Sequence, residues 1–234
     1  MEICGSGSNF SNAYMHANLF FEQGDARMPF QGFTHDDFAV FQIVGLEPRM
    51  DALIDRVRPK LNELGNELAP VLSALCGEEM FPHVAKHARR TVHAPNDTWV
   101  AWGPNKRGYK ALPHFQVGMF HSHLFVVFAI IYESSNKVLF ANALAKQSAD
   151  IRAELPGSYF WSTDHLDPKG IQESDMDDRQ FTELARKLKE VKKAEITCGL
   201  RIDKDDPILS DEDKLLELIQ QTFETLLPLY RMSF

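Results

Sequence analysis

Cysteine is scarce in this chain, and its positions exclude the common structural uses of cysteine. The three residues, Cys4, Cys76 and Cys198, lie far apart and form no CxxC pair. Neither a disulfide framework nor a cysteine-based zinc site is therefore indicated. No apolar run approaches the roughly 20 residues that a membrane-spanning helix requires. We therefore expect a cytoplasmic protein that makes no membrane contact.

Familiar catalytic motifs are absent as well. The chain contains no GxSxG nucleophile elbow, no HExxH zinc motif and no GxxxxGKS/T phosphate loop. His83 and His87, with His114 or with His121 and His123, could be zinc ligands by residue type, but the cations beside His83 and His87 oppose a metal ion. We expect neither a metal nor a bound cofactor, and the motifs assign no reaction.

What the chain does have is an ordinary globular composition. It contains 234 residues, 44% of them hydrophobic, with 17 phenylalanines and a net charge of −8. One domain with a sizeable core is the natural expectation. Residues 1–27 are largely small and polar without a periodic pattern, and we interpret them as a non-native or disordered extension before a true start at Met28. The domain would then comprise residues 28–234.

The spacing of apolar residues predicts strands and helices in an irregular order. Predicted strands cover residues 38–44, 97–102, 114–120, 124–131, 158–163 and 195–202. Predicted helices cover residues 47–75, 136–155, 178–191 and 210–230, and Pro59 and Pro70 should kink the first. Strand 124–131 is apolar on both faces, which predicts a central position. The fold class is therefore α+β, with a mostly antiparallel sheet and helices packed on one face.

One stretch differs in charge from the rest of the molecule. Between His83 and His114 the only acid is Asp97, whereas six residues are basic, so this stretch carries +5 and the remainder −13. We call residues 83–114 the basic segment. A cationic cluster within an acidic protein is typical of an anion-binding surface. Internal ion pairs with some of the 33 acids are the alternative.

The basic segment supplies the candidate binding residues. Guanidinium groups suit bidentate contacts with phosphate or carboxylate, and tryptophan offers a surface for stacking. The candidates are Lys86, Arg89, Arg90, Lys106 and Arg107 as charge donors, His83, His87 and His114 as hydrogen-bond donors, and Trp102 as a stacking surface. The expected partner is a phosphorylated or carboxylated small molecule, or a nucleic acid.

Two other functions are open on the sequence. An enzyme would use the same cations to stabilise developing negative charge, with His87 or His114 as the acid–base residue. Asp164 and His165 are a further acid–base pair, but neighbours on a strand point to opposite faces, which disfavours direct contact between them. A protein–protein adaptor would instead use the cations in internal ion pairs. No oligomeric state is indicated.

Several stretches resemble a known protein family. They are VFQIVGLEPRMDALIDRVRPKL, PHVAKHARR, P-x-DTWVA, KRGYK-x-x-PHFQ and the LLPLY ending. Over residues 33–230 the chain resembles the YktB-like proteins of Gram-positive bacteria, the UPF0637 or DUF1054 group of unknown function. This resemblance implies a cytosolic, single-domain α+β fold, loosely similar to the topology of biotin ligases. It supplies no catalytic residues, and the nucleotide loop of a working biotin ligase is not evident, so ligase activity is not implied.

Overall fold

A seven-stranded antiparallel sheet organises the protein, whose computed structural model describes residues 30–234. The strands are β1 (Phe81–Val84), β2 (Asp97–Gly103), β3 (His114–Phe120), β4 (His123–Ile130), β5 (Phe160–Ser162), β6 (Ile171–Gln172) and β7 (Ile196–Asp203). Their order is β1-β2-β3-β4-β7-β5-β6, and all neighbours run antiparallel. The middle position of β4 confirms the predicted central strand. The proposed extension, residues 1–27, lies outside the described residues.

The main helices pack on one face of this sheet, which confirms the predicted α+β architecture. The helices are α1 (His35–Ala39), α2 (Leu46–Ala52), α3 (Arg58–Cys76), α4 (Lys137–Lys146), α5 (Ser148–Glu154), α6 (Asp178–Glu190) and α7 (Glu212–Arg231). Aromatic pairs join them to the sheet, with 5.3 to 5.6 Å between ring centroids: Trp102 with Phe223, Phe128 with Phe140, and Trp161 with Phe181. Such pairs stabilise a core beyond their buried area. Within residues 30–234, no helix is both long and apolar enough to span a membrane.

Residues 38–44 form the end of α1 and a 3-10 turn, Val40–Gln42, so the predicted strand is wrong. The backbone N–H of Thr34 donates to Asp37 Oδ2 at 2.7 Å, a capping contact that favours a helix start. Asp37 also accepts a bond of 2.6 Å from Lys60, which anchors this end of the chain to α3. A short apolar run does not distinguish a buried strand from a buried helix, which explains the wrong prediction.

The long predicted helices are present with different breaks. Residues 46–76 form one helical run, in which a π turn, Leu53–Val57, separates α2 from α3 just before Pro59. Pro70 lies inside α3 without ending it, and Gly77 then ends the helix at a φ of 74°. The predicted helix at 136–155 is divided at Gln147 into α4 and α5.

Loops cover the opposite side of the sheet in the described part of the chain. We call this side the loop face; strand alternation and register direct to it Trp99, Ala101, Gln116, Gly118, Phe125, Val127, Phe160, Ser162, Thr197 and Arg201. Side chains from three loops contact Trp99 here: His87, Tyr109 and His165. A Cβ on Gly118 would lie 2.3 Å from the Phe125 ring, so glycine is what allows that ring to cross β3.

Candidate functional site

A pocket lies between the loop face and the loop of residues 163–170. We call it the loop-face pocket; its enclosed volume is about 20 Å³, and the rest of the concavity is open to solvent. Its apolar lining is Phe120, Phe125, Val127 and Phe160, and its polar lining is Gln116, His123, Ser162, Asp164, His165, Asp167, Thr197 and Arg201. Apolar walls with a few converging polar groups are typical of small-molecule sites.

Arg201 is the cation of this pocket. Its guanidinium carbon lies 3.8 Å from the centroid of the Phe160 ring, so the charge stacks on an aromatic face. Its Nε is buried and has no hydrogen-bond partner, and among residues 30–234 no carboxylate oxygen lies within 4.0 Å of its nitrogens. Desolvation by burial lowers its pKa, although an arginine stays charged at neutral pH. The site therefore contains a half-buried positive charge that no carboxylate of residues 30–234 contacts within 4.0 Å, although Asp167 acts on it from farther away.

His165 and Glu195 form a hydrogen-bonded pair at the same pocket. Glu195 Oε1 accepts both from His165 Nδ1, at 2.7 Å, and from the His165 backbone N–H, at 3.0 Å. Burial alone would raise the pKa of Glu195, but the hydrogen bonds and charge of His165 outweigh burial and the pKa is lowered. Because a carboxylate only accepts, Nδ1 must carry the ring proton, and Nε2 of the neutral ring is then a free acceptor.

Asp97 adds a buried acid to the loop face. Asp97 is the first residue of β2 and is only 2% exposed. Its Oδ2 has no hydrogen-bond partner among the described residues. Burial raises its pKa to about 6, against the opposing charges of His165 and Arg90. A carboxyl in this environment exchanges its proton near neutral pH, as acids in functional sites often do.

The chain has a family match over nearly all of its described length. Residues 33–230 match the family described as a domain of unknown function (DUF1054). A UPF0637 protein of Bacillus velezensis is 49% identical over 201 residues, which cover 86% of this chain and 96% of that protein. This chain belongs to the UPF0637 (DUF1054) family. UPF0637 proteins of Bacillus licheniformis and Lysinibacillus sphaericus are 49% and 46% identical, over 86% and 88% of this chain and 95% and 97% of theirs. The predicted family is confirmed, whereas the likeness to biotin ligases stays a prediction.

The cations of the basic segment lie on the surface of this UPF0637 protein. Lys86, Arg89, Arg90, Lys106 and Arg107 are all exposed, and none has a carboxylate oxygen within 4.0 Å among residues 30–234. The sixth, Lys110, lies 3.7 Å from Glu133. Internal ion pairs within the described residues therefore do not account for the segment, and its role in anion binding stays a prediction.

The predicted histidines serve mainly to hold loops on the sheet. His83 Nε2 contacts the carbonyl of Asn105 at 3.0 Å, which ties β1 to the turn that carries Lys106. His87 adopts a φ of 50° and places its ring edge-on to Trp99 at 5.5 Å. Burial, followed by the charges of two nearby arginines, lowers the pKa of His87 to about 4. This imidazole is therefore neutral at physiological pH and adds no charge to the surface.

His114 and Trp102 are both buried, and their predicted ligand contacts stay a prediction. His114 is completely buried, with Nδ1 bonded to the Leu112 carbonyl at 2.8 Å and Nε2 to the Gln116 amide at 2.8 Å. It contacts Gln116, which lines the pocket. Trp102 is also completely buried, on the helical face, and donates from Nε1 to the Gly65 carbonyl at 2.9 Å. The odd spacing of the two tryptophans puts them on opposite faces, and Trp99 is the one on the loop face.

Asp164, His165 and Glu195 also have the composition of a metal site, since their donor atoms lie within 4.8 Å of one another. Two of these donors are already engaged: His165 Nδ1 bonds to Glu195, and Asp164 Oδ1 accepts from the Leu166 N–H at 2.9 Å. A metal that bound His165 through Nδ1 would have to displace the bond to Glu195 and remove the imidazole proton. The observed contacts therefore favour a histidine–carboxylate pair.

Arg201 and Glu195 are functional candidates that sequence reasoning missed. Arg201 is the single cation in the apolar strand of residues 196–202, and that isolation was a usable signal. Glu195 could not be paired with His165 from spacing alone, since 30 residues separate them. The pairing of β5 with β7 places Ser162 opposite Thr197, and continuing that antiparallel register brings residue 164 beside residue 195.

Proposed function

We propose that this UPF0637 protein binds a small anionic metabolite in the loop-face pocket, with the carboxylate or phosphate of the ligand on Arg201. The observation that carries the proposal is the half-buried guanidinium without a carboxylate partner among residues 30–234. Leaving such a group unpaired costs stability, whereas a bound anion would pair it. Phe160 already holds the guanidinium plane in position, so little side-chain freedom is lost on binding.

The pocket lining supports a ligand with an apolar part beside its anionic group. Phe125, Val127 and Phe160 provide the apolar surface, and Gln116 and Thr197 offer hydrogen bonds next to it. The enclosed space of the pocket is small, about 20 Å³, which suits a small anionic group better than a polymer. Exposed cations such as Arg89 and Arg90 would raise the local anion concentration and the association rate without contacting the ligand.

Calorimetric titration with butyrate and with inorganic phosphate tests this proposal. Saturable binding of at least one probe is expected, and Arg201→Gln should weaken it about 10- to 100-fold because charged hydrogen bonds are lost. Arg56→Gln is the matched control, since Arg56 is exposed on the helical side and its loss changes net charge equally. No binding of either probe to the wild type, or equal binding by Arg201→Gln, would overturn the proposal.

A nucleic-acid ligand predicts a different result. Binding of a labelled single-stranded oligonucleotide would then depend steeply on salt and would be lost in the double variant Arg89→Gln, Arg90→Gln while surviving in Arg201→Gln. That pattern would favour an open basic surface over the pocket.

A further inference from the structure

The pair of His165 and Glu195 is not needed to hold an anion, and its geometry is that of an oriented base. One carboxylate oxygen accepts both the side-chain N–H and the backbone N–H of the same histidine, at 2.7 and 3.0 Å. The two bonds fix the position of the residue as well as the proton on Nδ1. Within residues 30–234, Nε2 of His165 has no hydrogen-bond partner, and the residue lines the pocket.

The surroundings keep the imidazole in one orientation. The Trp99 ring meets the His165 ring edge-to-face, with centroids 6.2 Å apart. Trp99 is itself held by a 2.8 Å bond from its Nε1 to the Tyr109 hydroxyl. Ser162 Oγ donates to the carbonyl of Asp164 at 3.0 Å, which sets the direction of the loop as it leaves β5. A base held by packing and by hydrogen bonds behind it loses little freedom when a ligand arrives.

We propose that His165 is the acid–base residue of the loop-face pocket, that Glu195 is its positioning residue, and that the pocket carries out proton transfer on its anionic ligand. This inference rests on the proposed binding function. In the forward step, the Nε2 lone pair takes a proton from an O–H, N–H or C–H group of the ligand, and the electron pair of that bond stays on the ligand. The imidazolium keeps its Nδ1–H bond to Glu195, which stabilises the new charge, and later returns the proton to the product or to water.

The charges around His165 are consistent with such a cycle. Glu195 lies behind the ring, Asp164 is its neighbour on the loop, and Asp97 approaches from β2 with a raised pKa of about 6. Arg90 is the cation that acts on Asp97. These carboxyl groups lie where they can stabilise the positive charge that the ring carries between the two proton transfers.

Nitrogen-15 NMR of histidine-labelled protein tests the inference without knowledge of the natural ligand. The wild type should show His165 with its neutral-form proton on Nδ1. Adding butyrate or phosphate should move the Nε2 resonance of this ring, because the bound anion lies near that nitrogen. Arg201→Gln should abolish the ligand-induced movement and keep the tautomer, which ties both residues to one ligand.

Variants of Glu195 separate positioning from simple structural support. Glu195→Gln should redistribute the tautomer while the probe still binds, and Glu195→Asp should restore the Nδ1 tautomer in part. A neutral wild-type His165 protonated on Nε2, or an unmoved Nε2 resonance when calorimetry shows the probe bound, would overturn the inference and leave the binding proposal standing. Absence of probe binding would overturn both. The wild-type spectra alone decide these outcomes even if a Glu195 variant fails to fold.

Discussion

Asp97→Asn tests how the loop face accommodates a buried acid. Burial raises the pKa of Asp97 to about 6, from an ordinary value of 3.8. The folded protein therefore retains this proton over a pH range in which the unfolded chain has released it. Since the native state binds more protons there, stability falls as the pH rises through that range. Replacing the carboxyl with an amide removes this titration and should remove its share of the fall.

The expected magnitude follows from the size of the shift. A difference of about two units between the folded and unfolded pKa values corresponds to roughly 3 kcal/mol of unfolding free energy, which is lost once the group is ionised in both states. Between about pH 4 and about pH 7, the wild type should lose about 2.5 kcal/mol of unfolding free energy that Asp97→Asn retains. The new amide has a cost of its own, because its N–H groups lack a partner. That cost is the same at both pH values and cancels in the comparison.

Urea unfolding, followed by tryptophan fluorescence at the two pH values, measures the effect. The quantity to compare is the change in unfolding free energy between the two conditions, for the wild type and for the variant. Asp55→Asn is the matched control, since Asp55 is exposed on the helical side and makes the same chemical change. Identical pH dependence of the wild type and Asp97→Asn would refute the reasoning, because it would mean that the folded protein solvates or pairs this carboxyl.

Three further predictions concern the same fold. Gly118→Ala should destabilise the protein by about 2 kcal/mol or more in urea unfolding, since the added Cβ has no room and overpacking strains the sheet; unchanged stability would contradict this packing. Glu173→Ala should cost about 3 kcal/mol, because the buried carboxylate accepts from Arg152 Nε at 2.7 Å and from the Trp161 indole, and Glu173→Gln should cost less. Burial lowers the pKa of His114 to about 4, so its contribution to stability is complete above about pH 6.5 and declines as the pH falls toward 4. His114→Gln should reduce this loss of stability at low pH, measured by acid unfolding. The direction is opposite to that at Asp97, where stability falls as the pH rises.

Much of the architecture follows from local patterns in the sequence. The hairpin of β3 and β4 is visible because two apolar runs flank a short polar turn at residues 121–123. The family is visible because its motifs extend over most of residues 33–230. The predicted strand at residues 38–44 is wrong because an apolar run of seven has the same composition in a buried strand and in a short buried helix. The capping contact of Thr34 favours the helix.

The candidate site was only partly predictable, and the reason is geometric. Charge along the chain identifies the basic segment. Its cations are exposed, as expected for charged side chains. Charge does not reveal which tryptophan of β2 faces the helices, since alternation defines two faces without saying which is covered. The helices cover the face of the sheet that contains Trp102, and the opposite face contains the candidate site.

Taken alone, the amino-acid order determines five of the seven described strands, most of the helices, the local excess of positive charge and the family. The tertiary structure alone decides that Arg201 stacks unpaired in a pocket and that Glu195 reaches His165 across 30 residues. Both depend on the pairing of β5 with β7. This is a long-range contact, and nothing in the sequence of either segment indicates that the two pair or in which register. Burial on that shared face then gives these charged groups their chemistry, because desolvation acts only once the sheet has formed.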